Sequence, residues 1–362
     1  MHQHAEALAK AGLEVITLSR YTDLESQRFS FSLRSATHAI TGFDTQGAEE
    51  KVMGFSPDII NVHNLSPNFG TRWIKRLRVP TVLTLHNFRF TCANGLLFRD
   101  GKICTKCVVG SSFNATKHSC FQQSRFKSLP WSLGETVGSS LGSNLRHFSL
   151  LIAQTPKVKE ILEIKGVNSD QIFLVPGFVE EKHESVTEPP AKSRFVFVGR
   201  HTPEKGLDEL LRNWPNDFAL DVIGTEQLDA VTGLETSNVR YLGQGSRDWV
   251  RSLLPKYSGL VFPGKCFEGA VPLVIREALE AGVPVLAQEG SAAEPVVLTG
   301  ESGVVFRERD RNSLESAIRM VDARGAALRF AARRQYESEM TEAAWLHRTL
   351  TLYKNVLSSP FC

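Results

Sequence analysis

The stretch Phe195-Val196-Phe197-Val198-Gly199-Arg200-His201-Thr202-Pro203-Glu204-Lys205-Gly206 decides the reading of this chain. Four apolar residues run as a strand into Gly199, where the missing side chain lets the backbone turn tightly. Arg200 and Lys205 follow in the loop beyond the strand's carboxyl end, the place where open α/β sheets hold ligands. Two cations one loop apart suit a diphosphate, which needs charge neutralised on two phosphates at once. A strand, a turn and a solvated Arg/Lys pair is the plainer reading of the same residues.

A second segment favours the ligand site. Residues 260–262 form an apolar strand that meets a Pro/Gly break, and the loop after it carries Glu268, Gly269 and Ala270. A helix is predicted over 273–280, closed by Gly282, and an apolar strand over 283–287 completes a βαβ unit. The helix N-terminus offers free amides and a positive dipole end to an anion. Glu268 in the loop and Glu277 about two turns into the helix are carboxylates suited to accept hydrogen bonds from sugar hydroxyls.

Together these motifs resemble glycosyltransferase family 4, whose members are retaining enzymes of the GT-B fold. The resemblance implies an α/β architecture of two Rossmann-like, doubly wound domains facing across a cleft. It gives Arg200 and Lys205 the donor diphosphate, with Gly199, Gly269 and Ala270 as backbone neighbours of the nucleotide sugar. It gives Glu268 and Glu277 the transferred sugar and the ribose. The family separates its two glutamates by seven residues, whereas eight lie between Glu268 and Glu277. Counting back seven from Glu277 reaches Gly269, so the extra residue reads as a bulge before the helix. Gly224 after a strand at 220–223, Gly243 after 239–242 and Gly303 before 304–306 extend the match.

The chain has 362 residues, 42% of them hydrophobic, enough for two cored domains. We expect an acceptor-side domain over 1–179, a proline-bearing linker over 180–193 and a donor-binding domain over 194–341. The resemblance implies that a final helix over 342–357 packs back on the first. In the N-terminal half, helix-like stretches at 2–11, 71–77 and 157–164 alternate with apolar runs at 14–19, 59–62, 81–85, 150–153 and 172–175, which predicts a parallel sheet. A net charge of +3 makes no case for nucleic acid. No apolar run approaches the length of a bilayer span, so a cytoplasmic protein is expected, with basic excess enough for peripheral contact with an anionic inner leaflet.

Residues 2–11 resemble the family's first helix and 14–19 its second strand, so the family's first strand and glycine turn have no counterpart. A truncated start and a poorly soluble chain are the expectations. Either the start lies upstream, the copy is degraded, or another segment fills the gap.

Four of the six cysteines, Cys92, Cys104, Cys107 and Cys120, fall within residues 92–120. Cys104 and Cys107 have the two-residue gap that lets both thiolates of one turn reach a metal, and four thiolates suit tetrahedral structural zinc, with His118 a substitute ligand. Free buried cysteines or a redox pair are the alternatives. Cys266 reads as loop filling. His86 directly follows a strand, and the resemblance gives it a contact with the donor sugar. His63 ends the preceding strand, and His201 reads as a loop residue.

The function expected is transfer of a hexosyl unit from a nucleotide diphosphate sugar to a glycan or lipid-linked acceptor in cell-surface polysaccharide synthesis, without a catalytic divalent metal. A non-catalytic nucleotide-sugar-binding relative, or another enzyme on the same fold such as a nucleotide-sugar epimerase or a glycogen-type synthase, are the rivals.

Overall fold

The computed structural model describes residues 2–21, 29–183, 188–225 and 238–358; Cys362 and residues 184–187 of the expected linker lie outside them. The chain divides into two compact units. One holds residues up to Arg99, Cys104–Val175 and the residues from Leu346; the other holds Asp100–Ile103 and Pro176–Trp345.

In the first unit the helices α1 (His2–Lys10), α2 (Phe29–Thr41), α3 (Arg125–Thr136) and α4 (Pro156–Ile164) accompany a sheet of β1 (Ile60–His63), β2 (Thr81–Thr84), β3 (Leu150–Ala153) and β4 (Ile172–Leu174). The strands are all parallel, in the order β1-β2-β3-β4. Val82, Leu83, Leu151 and Ala153 are wholly buried, which is why the two central strands read as unbroken apolar runs. Residues 71–77 form a short 3-10 turn, Arg72–Arg76, instead of the expected helix.

The strand expected at 14–19 is not formed. Leu13, Val15 and Thr17 alternate as a strand would, but residues 13–18 stand across a cavity of about 220 Å³ from Ile60 and Val62 of β1. Alternation fixes an extended backbone; pairing also needs a partner strand within about 5 Å, and here a gap intervenes.

In the second unit β5 (Arg194–Val198), β6 (Ala219–Ile223), β7 (Val239–Tyr241), β8 (Gly259–Phe262), β9 (Val285–Gln288) and β10 (Gly303–Phe306) form one parallel sheet. Its order is β10-β9-β8-β5-β6-β7, so the chain reverses direction of travel between β5 and β8. Helices α5 (Leu207–Asn213), α6 (Arg247–Leu253), α7 (Leu273–Glu280) and α8 (Arg311–Glu339) serve this unit, and α9 (Glu342–Ser358) ends the described chain.

Two apolar clusters cover the two faces of this sheet. One gathers Val196, Leu260, Val285, Ile275 and Leu279; the other gathers Phe195, Trp214, Leu286 and Ile318. Buried Asp221 on β6 ties the sheet together, accepting from Arg194 of β5 at 2.7 Å, Arg240 of β7 at 2.7 Å and the Tyr257 hydroxyl at 2.8 Å. Burial pushes the Asp221 carboxyl up, and these donors more than offset it, holding its pKa below the usual value.

Among the described residues no helix is long and apolar enough to cross a membrane.

Candidate active site

Strand order reverses between β5 and β8, and the carboxyl ends of the strands at such a reversal are the general ligand position of open α/β sheets. Gly199 ends β5, and the loop after it carries Arg200 and Lys205. The loop after β8 carries Cys266, Glu268, Gly269 and Ala270. The two loops are fastened together. Lys265 N–H donates to the Glu204 carbonyl at 2.8 Å, and Lys265 Nζ pairs with Glu209 and Glu308. Gly206 has φ +74°, and a Cβ there would strike the Pro263 carbonyl, so close approach of the loops requires glycine.

This packing brings Lys205 and Glu268 into contact: Lys205 Nζ donates to Glu268 Oε1 at 2.7 Å, both side chains about one-quarter exposed. Arg200 is exposed, and among the described residues its guanidinium has no ion pair. Cys266 is buried beside Glu268, its Sγ 3.9 Å from Oε1, and burial then the Glu268 charge push its thiol up to about 12. It fills the loop, as expected, and supplies no nucleophile at neutral pH.

Helix α7 begins at Leu273 after Pro272, and Gly282, at φ +64°, terminates it with Val283 N–H bonded to the Ala278 carbonyl. Glu277 is buried in its second turn and accepts from Arg247 Nε, the first residue of α6. Arg247 was invisible to sequence reasoning; the glycine-bounded loop 243–245 ahead of α6 was its only signal. His201, read as a loop residue, pairs with Asp208 at 2.8 Å.

One turn beyond Glu277, Glu280 is wholly buried. Burial pushes its carboxyl up, but the Lys182 and His183 amides, each at 2.7 Å, and His183 Nδ1 hold its pKa below the usual value. Arg251 and Arg333 complete its surroundings.

In the first unit His86 follows β2. Gln154 Nε2 donates to the Leu85 carbonyl at 3.0 Å and to His86 Nδ1 at 2.7 Å, so His86 carries its proton on Nε2 and donates it to His63 Nδ1, 2.7 Å away. Burial, then His86 and His4, hold the pKa of His63 well below its ordinary value. A proton on His63 Nδ1 would also break its bond from His86. His63 is thus neutral when folded but protonates near pH 6.5 when unfolded. The first unit therefore keeps its full stability above about pH 6.5 and loses up to about 1.4 kcal/mol per pH unit below it. His38, whose pKa burial also lowers, adds to the same slope. Denaturant titrations at pH 7.5 and 5.5 should show this loss, and His63→Gln should shrink it; an unchanged slope would rule His63 out as its source.

The expected zinc site gains no support from the structure. Among the described residues no three His, Cys, Asp or Glu side chains converge on a point that a metal ion could occupy. The Cys92 thiol donates to Asn94 Oδ1 at 3.0 Å, and burial raises its pKa; burial, then the neighbouring Cys92, Cys120 and Cys104, push the Cys107 thiol up to about 12. Cys104 and Cys120 are half-buried in the same segment.

Residues 1–183 match the family described as Glycosyltransferase Family 4, and residues 192–321 match the one described as Glycosyl transferases group 1. No curated protein matches the sequence. Among solved structures the chain is similar to sucrose-phosphate synthase from Thermosynechococcus elongatus, with 16% identity, a TM-score of 0.68, and 98% of this chain and 92% of that one covered. It is similar to a glycosyltransferase from Rickettsia africae, with 14% identity, TM-score 0.61, and 98% and 88% covered. It is also similar to HepE from Anabaena in complex with UDP, with 14% identity, TM-score 0.58, and 85% and 82% covered. At such identities the likeness is one of fold, and the fold is GT-B.

Proposed function

The chain belongs to glycosyltransferase family 4, and we propose that it moves a hexosyl unit from a nucleotide diphosphate sugar to a glycan or lipid-linked acceptor, with retention at the anomeric carbon. The observation that carries this reading is the meeting of the Arg200–Lys205 loop with the Glu268–Ala270 loop at the reversal of strand order. The UDP held by the Anabaena neighbour supports a nucleotide donor.

In this proposal negative charge grows on the departing diphosphate, and Arg200, Lys205 and the free amides at the start of α7 stabilise it. Preorganised charge of this kind is the largest single source of catalysis in many enzymes. Lys205 must turn from Glu268 to a phosphate oxygen when donor arrives. Their ion pair is partly solvated, so the exchange costs little. On this reading Glu268, once released, accepts hydrogen bonds from the sugar, and Glu277, which pairs with Arg247, accepts from the ribose. His86 enters the proposal through the family resemblance alone.

A donor panel scored for release of nucleoside diphosphate, with and without added acceptors, tests the function. Donor binding without release would favour a non-catalytic relative; product formed without acceptor would favour an epimerase. The two glutamates separate by assay. Glu277→Gln should weaken binding of the free nucleoside diphosphate about 10- to 100-fold, the size of a charge-assisted hydrogen bond. Glu268→Gln should leave that affinity within a few-fold and lower turnover. The reverse pattern would exchange their roles.

A further inference from the structure

A second cavity, of about 660 Å³, lies wholly within the first unit, and nothing in the donor chemistry uses it. Its walls come from the ends of β1 and β2, the cysteine-bearing segment and α3. Asn64, Asn87 and Gln122 line it with amides, a group that can both donate and accept, and Phe121 and Trp131 give it aromatic faces. Amides of this kind match hydroxyl groups, which also do both, and flat rings match the C–H face of a pyranose.

Its charge is one-sided. Arg20, Arg89 and Lys127 line it, and no Asp or Glu does among the described residues. Arg20 is already neutralised by Asp44, through bonds of 2.6 and 2.9 Å. Among the described residues Lys127 has no ion pair, and its Nζ donates to the neutral Gln122 Oε1 at 2.8 Å. Arg89 has no ion pair among the described residues, although burial is heavy enough to hold its pKa below the usual value.

Arg89 is nonetheless built in. Its N–H donates to Asn87 Oδ1 at 2.9 Å, and its chain neighbours Phe88 and Phe90 are buried. Its stem crosses Gly95, where a Cβ would sit 2.9 Å from Arg89 Cγ, and its guanidinium lies 5.6 Å from the Phe121 ring centroid. At the wall, Gln122 holds a left-handed φ of +50°, a conformation that costs energy for such a residue. A half-buried cation in a cavity wall, without an ion pair among the described residues, is a costly arrangement that an anionic ligand relieves.

We propose that this cavity binds the acceptor as an anionic saccharide, with its negative group against Arg89 and Lys127 and a sugar face against Trp131. The anion is a carboxylate or a phosphate: a uronic acid residue and a sugar diphosphate carried on a lipid share that chemistry. The acceptor role rests on the transferase reading above; the affinity for an anionic saccharide does not.

Calorimetry on the full chain tests it with three probes: a glucuronate-terminated disaccharide, its neutral glucose-terminated counterpart, and a short-prenyl diphosphate monosaccharide. One or both charged probes should bind about 10- to 100-fold tighter than the neutral one, and which of them does so identifies the source of the anion. Arg89→Ala should erase that preference and Arg89→Lys keep part of it. Lys127→Gln, on an exposed side chain, reports even if the arginine variants do not fold. Affinity for UDP should stay within twofold in each variant. Equal affinity for charged and neutral probes, no binding of any probe by a chain that binds UDP, or a preference unchanged in Arg89→Ala and in Lys127→Gln would overturn the proposal. Charged probes bound by a chain that neither binds nor turns over any nucleotide sugar would leave the cavity standing and remove the transferase reading.

Discussion

Lys205→Ala and Arg200→Ala each lower kcat/KM by roughly 100-fold or more, the loss expected when one preorganised charge stabiliser is removed. The two losses are not equivalent. Arg200 is exposed and has no ion pair among the described residues, so its removal subtracts one cation. Lys205 holds Glu268 at 2.7 Å, so its removal also leaves a carboxylate beside the incoming diphosphate. Lys205→Ala is therefore the more damaging change, and adding Glu268→Gln to it costs less than Glu268→Gln costs alone. Residues in contact couple in this way, whereas independent ones add. Steady-state kinetics on these variants check the ordering. Single variants that both stay within a few-fold of the parent would mean the diphosphate lies elsewhere.

Glu280→Ala destabilises the second unit by about 3–5 kcal/mol, the cost of leaving buried charges without their partner. Glu280 is wholly buried and faces Arg251 and Arg333, each about 5% exposed. It also satisfies the amides of Lys182 and His183. The two amides lose their acceptor and Arg251 its carboxylate partner, while Arg333 keeps Glu181 and Glu337. Glu280→Gln keeps an acceptor oxygen and should cost less. Denaturant unfolding followed by a signal from the second unit measures both. A loss below 1 kcal/mol for the alanine variant would mean that water replaces the carboxylate.

Much of the second unit was legible because its strands are buried on both faces and punctuated by Gly or Pro. The run 195–198, the turn at Gly199 and the helix 273–280 closed by Gly282 all carry their signals locally. What was not legible depends on partners far along the chain. Asp221 meets Arg194, Arg240 and Tyr257 from separate segments, and Glu277 meets Arg247 thirty residues away. The 29-residue α8 was hidden because its inward face carries buried Arg329 and Arg333, which blur the apolar stripe that announces a helix. The strand expected at 14–19 shows the same limit, since alternation cannot say whether a neighbour lies close enough to bond.

That last feature bears on how the protein behaves in company. Among the described residues β1 pairs with β2 alone, and its other side looks onto an apolar cavity rather than a bonded neighbour. Amides on β2 and β3 lie between two strands; those on the edge strands β1 and β4 have a bonded strand on one side only, and they will exchange before them. An open strand beside an apolar hollow is also a template. In concentrated solution another molecule's extended segment can add to it, so the tendency to self-associate should rise with concentration and start from this edge of the sheet.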